Sequence, residues 1–269
     1  MRYFLQIVFL LLLASIGNFS AIAAAGFSSS SSSGAESLHF TPEQITKFSK
    51  QVEKILAAKG ARVAMLARMG RSRSELPEGM QFTHVAFAVY SEITTSDGRK
   101  LPSYAIYNLY QQNDRPDFSN LVQDFPVDFF SGVVELEAGI IIPSAELQKR
   151  LLEVIASPTY TKLHDSHYSV IANPYTLGRQ NCTEFVLDIT NAAIYQTDDI
   201  NKIKANTKAY FVAQKVNVNP FKLMLGSMFS KEVSTSDQSG TPVTATFETI
   251  GAYLKKYDQG SEVLTIVPN

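Results

Sequence analysis

The sequence contains a single cysteine, Cys182, among 269 residues, so the chain cannot form an internal disulfide. It has no excess of either charge, since the formal net charge is -1, and we expect no binding to nucleic acid. No metal motif, phosphate loop or nucleotide fingerprint is present, so no cofactor is expected. The remaining partner class is a peptide or lipid-type substrate. The sequence does not indicate the oligomeric state.

The N-terminus has the features of a secretory signal. Arg2 supplies a positive charge, residues 3–16 are almost entirely apolar, and small residues follow at 21–25. We predict a signal peptide over residues 1–25, cleaved near Ala23 to Ala25, and a periplasmic or secreted protein. The alternative is an uncleaved N-terminal membrane anchor, although the apolar run is shorter than the about 20 residues of a spanning helix. No later segment is as long and free of charge, so we predict no integral membrane span in the mature chain.

The rest of the chain indicates one α+β domain. Residues 26–38 include a serine run and are predicted to be a flexible linker. Residues 39–229 are predicted to form the domain, and residues 230–269 a loop, helix and strand packed on it. Periodicity and capping residues predict helices at 42–59, 144–155, 181–194, 201–214 and 246–257. Extended segments are predicted at 63–67, 82–90, 104–111, 139–142, 168–172 and 263–267.

Cys182 is predicted to occupy the first position of a helix. Asn181 is a suitable N-cap, and Glu184 three residues later completes a sequence typical of a capping box. The helix dipole and unpaired N–H groups at this end favour a thiolate over a thiol. The alternative is a structural cysteine, because Cys182 shares an apolar stripe with Phe185 and Ile189.

His84 is the candidate base for this thiol. On the strand at 82–90, His84, Ala86 and Ala88 share one face, and the small alanines leave room for a helix to approach. We expect that helix to be the one that begins at Cys182, so that imidazole and thiol form a couple. The other histidines, His39, His164 and His167, are weaker candidates because they lie outside the predicted strands and helices.

A third residue is predicted from the register of the hairpin that follows. If Asp97-Gly98 is a two-residue turn, Gln111 lies opposite His84 and can orient the imidazole. A slip in register would give that role to Asn113 or Asn108 instead. Tyr168 and Gln180 are candidate donors to an oxyanion, beside the backbone N–H of Cys182.

These residues resemble a known family. A strand with Thr-His-Val-Ala-Phe, a polar strand and a later Asn-Cys-Thr-Glu-Phe-Val helix are similar to the circularly permuted NlpC/p60-like branch of the papain-fold thiol hydrolases. More of the chain, over about residues 40–195, resembles an uncharacterised family of exported bacterial proteins, domain of unknown function 2145. The first resemblance implies a papain-like α+β fold, with an antiparallel sheet packed against the helix that carries Cys182 at its N-terminus.

That resemblance also implies the chemistry. Cys182 would be the nucleophile, His84 the base and Gln111 the polar third residue of a hydrolase or acyltransferase that acts on an amide or ester. By analogy of fold, a cell-wall peptide is the expected substrate. Two alternatives stay open: a lipid acyl hydrolase or acyltransferase, and a noncatalytic binding protein in which Cys182 is buried and inert.

Overall fold

The computed structural model describes residues 39–94, 97–216 and 234–269. This part of the chain is a mixed α+β structure with a six-stranded antiparallel sheet. The predicted signal peptide and the whole of the predicted linker lie outside the described residues. No helix in the described ranges is long and apolar enough to cross a membrane.

The described elements follow one another along the chain. The helices are α1 Pro42–Ala58, α2 Pro126–Ser131, α3 Ala145–Ile155, α4 Thr159–Lys162, α5 Cys182–Tyr195, α6 Ile200–Tyr210 and α7 Phe247–Tyr257. The strands are β1 Val63–Met69, β2 His84–Thr94, β3 Lys100–Gln111, β4 Ser119–Asp124, β5 Glu135–Ile142, β6 Gln214–Lys215, β7 Val243–Thr244 and β8 Glu262–Ile266.

The main sheet has the order β4-β3-β2-β1-β5-β8, and β6 and β7 form a separate pair. The central strand β1 is buried along its whole length because both faces of the sheet are covered. β8 comes from the end of the chain and pairs with β5. The last residues therefore contribute an edge strand to the main sheet.

The two faces of β2 are covered by different helices. Ala86 and Ala88 belong to a buried cluster with Phe48 and Val52 of α1, whereas Phe87 belongs to a cluster on the opposite face. That second cluster contains the apolar residues of α3, α5 and α7. The expectation that the cysteine helix packs on the alanine face is therefore wrong. The small alanines accommodate α1, whose N-terminus is fixed by a capping box at Thr41.

One glycine allows the C-terminal helix to approach the sheet. A Cβ on Gly139 of β5 would lie 2.7 Å from the ring of Phe82 and 2.8 Å from the ring of Phe247. The two rings pack edge to face with their centroids 4.9 Å apart. Only a residue without a side chain leaves room for this pair. Gly139 therefore allows Phe247 of α7 to pack against Phe82 in the segment that precedes β2.

The β2–β3 hairpin differs from its prediction by one residue. Phe87 pairs with Tyr107 and Thr94 with Lys100, and continuing this register places Tyr110, not Gln111, opposite His84. The pairing of Thr94 with Lys100 is not the register that a two-residue Asp-Gly turn would give. A shift of one residue moves each side chain to the other face of the strand.

The predicted strand at 168–172 and the predicted helix at 201–214 differ from the structure. Residues 168–172 do not form a strand but contribute an isolated bridge between Tyr168 and Gln180. The helix predicted at 201–214 ends at Tyr210 and is followed by β6. α2 and β4 were not predicted, because neither has a sustained apolar period.

Candidate active site

The start of α5 is held in place by its N-cap. The side chain of Asn181 accepts a hydrogen bond from the backbone N–H of Glu184 at 2.9 Å, as predicted. Its amide group donates to the backbone oxygen of Val170 at 2.9 Å and to the hydroxyl of Thr244 at 3.1 Å. The capping box is incomplete, because the carboxylate of Glu184 pairs with Lys204 at 2.6 Å instead of returning to Asn181. Cys182 therefore occupies a rigid position at the end of a buried helix.

The thiol of Cys182 is almost enclosed, with 6% of the residue exposed. Burial raises its pKa, whereas the backbone N–H of Val85, the hydroxyl and backbone of Thr183 and the charge of Arg68 act in the opposite direction. The Thr183 hydroxyl lies 3.7 Å from the sulfur. The expectation of a thiolate is therefore wrong for this state, because desolvation outweighs the helix terminus and the thiol carries its proton at neutral pH.

His84 lies in a buried polar network on the face covered by α1 and α2. Its Nε2 is 2.9 Å from Oδ1 of Asn108. Nδ2 of Asn108 donates to one carboxylate oxygen of Asp124 at 2.8 Å, and the Tyr110 hydroxyl donates to the other at 2.8 Å. The Tyr110 ring also stacks on the imidazole, with 5.1 Å between centroids. The hydrogen bond to Asn108 therefore restrains the edge of the imidazole, and the Tyr110 ring restrains its face.

This network determines the protonation of His84. Burial, and to a smaller extent the charge of Arg68, lowers the pKa of His84 to about 3, so the ring is neutral. Because Asn108 directs its oxygen to Nε2, that nitrogen carries the proton and the lone pair resides on Nδ1. Nδ1 is buried and has no hydrogen-bond partner among the described residues. The structure thus presents one imidazole nitrogen that is free to accept a proton.

The imidazole of His84 is on the face of the sheet covered by α1 and α2, whereas Cys182 belongs to the buried cluster on the other face, and no hydrogen bond joins the two side chains. They are linked through the peptide that follows the histidine, because the backbone N–H of Val85 is among the groups that lower the pKa of the Cys182 thiol. Here β3 no longer pairs with β2, since their pairing runs only from Phe87 to Thr94. The N-terminus of α5 therefore reaches the plane of the sheet where the two strands separate.

Asn108 is the third residue of the site, and the prediction of Gln111 is wrong. With the observed register, Gln111 is on the other face of β3 from His84, and its amide donates to the backbone oxygen of Pro116 at 2.6 Å. Asn113 lies beyond the end of β3 and is exposed. Of the three residues considered for this role, only Asn108 contacts the imidazole.

A small pocket opens beside the sulfur. Its apolar wall consists of Leu76, Pro77, Met80, Phe82 and Val170, and its polar wall includes Arg71, Thr83, Tyr168 and Thr246. Tyr168 thus lies in the same pocket as Cys182, as its predicted role requires. Gln180 does not, because its amide donates to the Leu163 oxygen and to Asp188, at 3.1 Å and 2.9 Å. This contradicts its predicted role as an oxyanion donor.

The remaining histidines are far from this arrangement of hydrogen bonds. His164 contacts the hydroxyl of Ser119 at 2.9 Å, and His167 pairs with Asp165 at 2.9 Å. His39 precedes α1, where it is exposed. No group of three or more His, Cys, Asp or Glu residues in the described ranges could hold a metal ion.

Asp124 and the contact of Tyr110 with His84 were not predicted from the sequence. Asp124 comes from β4, which pairs with β3 and places Asp124 opposite Ile106, whereas the contact of Tyr110 follows from the β2–β3 register. Asp124 is half-buried, and desolvation raises its pKa to about 7. A signal was available in the sequence, because Pro126, two residues after Asp124, is typical of the first position of a helix and so marks the end of the preceding strand.

The comparisons with known proteins add a family but no activity. No curated protein and no solved structure matches the chain. Residues 55–254 match a family described as an uncharacterized protein conserved in bacteria, DUF2145. This range contains both β2 and α5, and therefore His84, Asn108 and Cys182. Since it covers most of the sequence, the chain belongs to the DUF2145 family of bacterial proteins.

Proposed function

We propose that the protein is a cysteine-dependent hydrolase or acyltransferase in which Cys182 is the nucleophile, His84 the base and Asn108 the residue that orients the base. One observation carries the proposal: Asn108 holds the imidazole proton on Nε2, and the free lone pair on Nδ1 belongs to the residue whose following peptide N–H lowers the pKa of the Cys182 thiol. A neutral imidazole with an available nitrogen, on the strand that the cysteine helix packs against, together with a thiol supplies the groups that nucleophilic catalysis needs.

The reaction begins from a neutral pair. As the sulfur attacks the carbonyl carbon of an amide or ester, the thiol proton passes to Nδ1 of His84, and the carbonyl π electrons move to oxygen. The backbone N–H of Cys182 stabilises the oxyanion at the helix N-terminus, with Tyr168 as the candidate second donor. Nδ1 then returns its proton to the leaving group as the thioester forms. Water or another acceptor completes the cycle by the same steps in reverse.

The electrostatics explain why this proton transfer would accompany attack and not precede it. Burial disfavours both the thiolate of Cys182 and the imidazolium of His84, and the charge of Arg68 disfavours the imidazolium further. No hydrogen bond joins Cys182 to His84 in the described structure, and catalytic hydrogen bonds of this kind often form only in the substrate complex. Transfer during attack avoids a separate thiolate–imidazolium pair, because the negative charge then develops on the carbonyl oxygen, where the backbone N–H of Cys182 can stabilise it.

We further propose that the fold is related to the circularly permuted NlpC/p60-like papain fold. The order of the site residues supports this relation: a histidine on one strand, an asparagine on the next, and a cysteine at the start of a later helix. By this analogy, the substrate is a cell-wall peptide and the protein acts after export to the periplasm or the cell exterior. The N-terminal signal features support the location.

A second candidate function has an observation in its favour. Cys182 is 6% exposed, its pKa is raised, and no hydrogen bond joins it to His84. These are also the properties of an inert cysteine in a noncatalytic binding protein. A third candidate, a lipid acyl hydrolase or acyltransferase, is favoured only by the apolar wall of the pocket.

Thiol alkylation of the native protein separates the first two candidates. We expect iodoacetamide to modify Cys182 in the native protein, and the rate to fall in His84→Ala and Asn108→Ala. Gln111→Ala is the matched control, because its side chain lies on the same strand but not at the imidazole. Equal, slow rates in all four proteins, with fast alkylation only after denaturation, would refute the catalytic proposal and support the binding protein.

Incubation with peptidoglycan fragments and with phospholipid vesicles then tests the substrate. We expect the wild-type protein to release product from the peptide substrate and Cys182→Ala to release none. Product from phospholipid alone would favour the lipid acyl candidate. Circular dichroism of each variant ensures that the loss does not come from unfolding.

A further inference from the structure

We propose that Asp124 is a positioning residue: it fixes the orientation of the Asn108 amide and, through it, the tautomer of His84. This inference rests on the function proposed above, because its importance depends on His84 acting as the base. Asp124 does not contact the imidazole itself, so it acts through Asn108.

The geometry of the carboxylate carries the inference. Its two oxygens each accept one hydrogen bond, from Nδ2 of Asn108 at 2.8 Å and from the Tyr110 hydroxyl at 2.8 Å. A carboxylate offers acceptors only, and a protonated carboxyl still keeps one acceptor oxygen for the amide. Beside the ionised carboxylate, the Asn108 side chain must therefore direct its NH2 group to Asp124 and its oxygen to His84.

The orientation of the amide determines which imidazole nitrogen is the base. With Oδ1 of Asn108 at 2.9 Å from Nε2, the proton resides on Nε2 and the lone pair on Nδ1. If the amide rotated by half a turn, its NH2 group would face Nε2 and favour the lone pair there. Nδ1 would then carry the proton and could not accept one from a thiol. The ionised carboxylate of Asp124 opposes this rotation, since the rotated amide would place two oxygens without a proton between them against each other.

Tyr110 makes the arrangement more rigid. Its ring stacks on His84 while its hydroxyl binds Asp124, so one side chain ties the imidazole to the carboxylate. Tyr110 and Asn108 both lie on β3, which forms a hairpin with the strand of His84. Asp124 lies on β4, which pairs with β3 on its other side. The network therefore closes on itself: His84, Asn108, Asp124, Tyr110 and again His84.

The experiment compares Asp124→Asn with Asp124→Leu. An asparagine at position 124 can still accept from Asn108 through its oxygen and donate to Tyr110 through its NH2 group, whereas a leucine of similar size can do neither. The first measurement is the tautomer of His84, from the side-chain nitrogen chemical shifts of protein labelled with 15N-histidine. Loss of signals in His84→Gln assigns them. The second is the rate of Cys182 alkylation as a function of pH.

We expect the Nε2–H tautomer in the wild-type protein and in Asp124→Asn, and a mixture or the Nδ1–H tautomer in Asp124→Leu. Alkylation should slow by at least about tenfold in Asp124→Leu and recover in Asp124→Asn, because a general base contributes about 10²–10⁴-fold. An unchanged tautomer in Asp124→Leu would overturn the inference. If that variant does not fold, an Nδ1–H tautomer in the wild-type protein would overturn it equally.

The two readouts distinguish this inference from the proposed function. A changed tautomer with alkylation as in the wild type would support the positioning role of Asp124 but refute the role of His84 as base. If the tautomer of His84 stays the same in Asp124→Leu while His84→Ala still slows alkylation, only the role of Asp124 is refuted.

Discussion

His84 and Asp124 should make opposite contributions to the pH dependence of stability. The folded protein holds His84 neutral, with a pKa of about 3 against an ordinary value of 6.5, because of burial and the charge of Arg68. It also holds Asp124 protonated up to a pKa of about 7, against an ordinary value of 3.8, because burial outweighs the hydrogen bonds to its carboxylate. The charges of Arg68 and Asp128 modify that value in opposite directions.

The sign of each contribution follows from which state binds protons. As pH falls from 7 to 5, the unfolded chain protonates at His84 and the folded protein does not, which lowers the free energy of unfolding by about 2 kcal/mol. Over the same interval the folded protein protonates at Asp124 while the unfolded chain stays ionised, which raises the free energy of unfolding by about 2 kcal/mol. In the wild-type protein the two contributions nearly cancel.

Single variants should reveal the two contributions separately. We expect the free energy of unfolding of His84→Gln, measured by urea denaturation, to rise by about 2 kcal/mol from pH 7 to pH 5 relative to the wild type. Asp124→Asn, which can still accept from Asn108 and can donate to the Tyr110 hydroxyl, should show the opposite change of similar size. Parallel pH profiles for all three proteins would refute the burial and protonation states assigned to this network.

Two further substitutions test the packing around the site. Gly139→Ala should lower the free energy of unfolding by about 1–3 kcal/mol, because the new methyl group would overlap the ring of Phe82. The control Gly251→Ala should be tolerated, because the nearest atom to its new methyl group would lie 3.4 Å away. Chemical denaturation measures both variants, and equal effects would contradict the close approach of α7 to the sheet at Gly139. Lys204→Met should cost about 3–5 kcal/mol, since it removes the only ammonium that the described structure pairs with the two buried carboxylates of α5. The control Lys162→Met removes an exposed ion pair and should cause no measurable change in the same assay.

Much of the local structure could be predicted from the sequence. The helical spacing after Thr41 and the alternation around Phe87 predict α1 and β2, and both are confirmed. The cap at Asn181 correctly places Cys182 at the first position of α5. These signals are local, because capping residues and apolar periods act within one or two turns of a helix or one strand.

The predictions that were wrong concern features that depend on contacts between segments far apart in the sequence. Alternation along β2 shows that the strand has two faces, but not which helix covers the face with Ala86. The register of the hairpin depends on the length of its connection, and a difference of one residue replaced Gln111 by Tyr110 opposite His84. The raised pKa of Cys182 depends on total burial, which no local pattern contains. Asp124 was not predicted as part of the site because β4 has little apolar alternation and was not predicted as a strand.

The cap of the cysteine helix has a consequence for biosynthesis. Asn181 is bonded to Thr244, which follows it by 63 residues, and Thr246 at the start of α7 forms part of the pocket wall. A ribosome must therefore add all of these residues before the environment of the thiol is complete. A chain that stops before residue 244 would carry Cys182, His84 and Asn108 but leave the sulfur open to solvent and the helix cap without one of its partners.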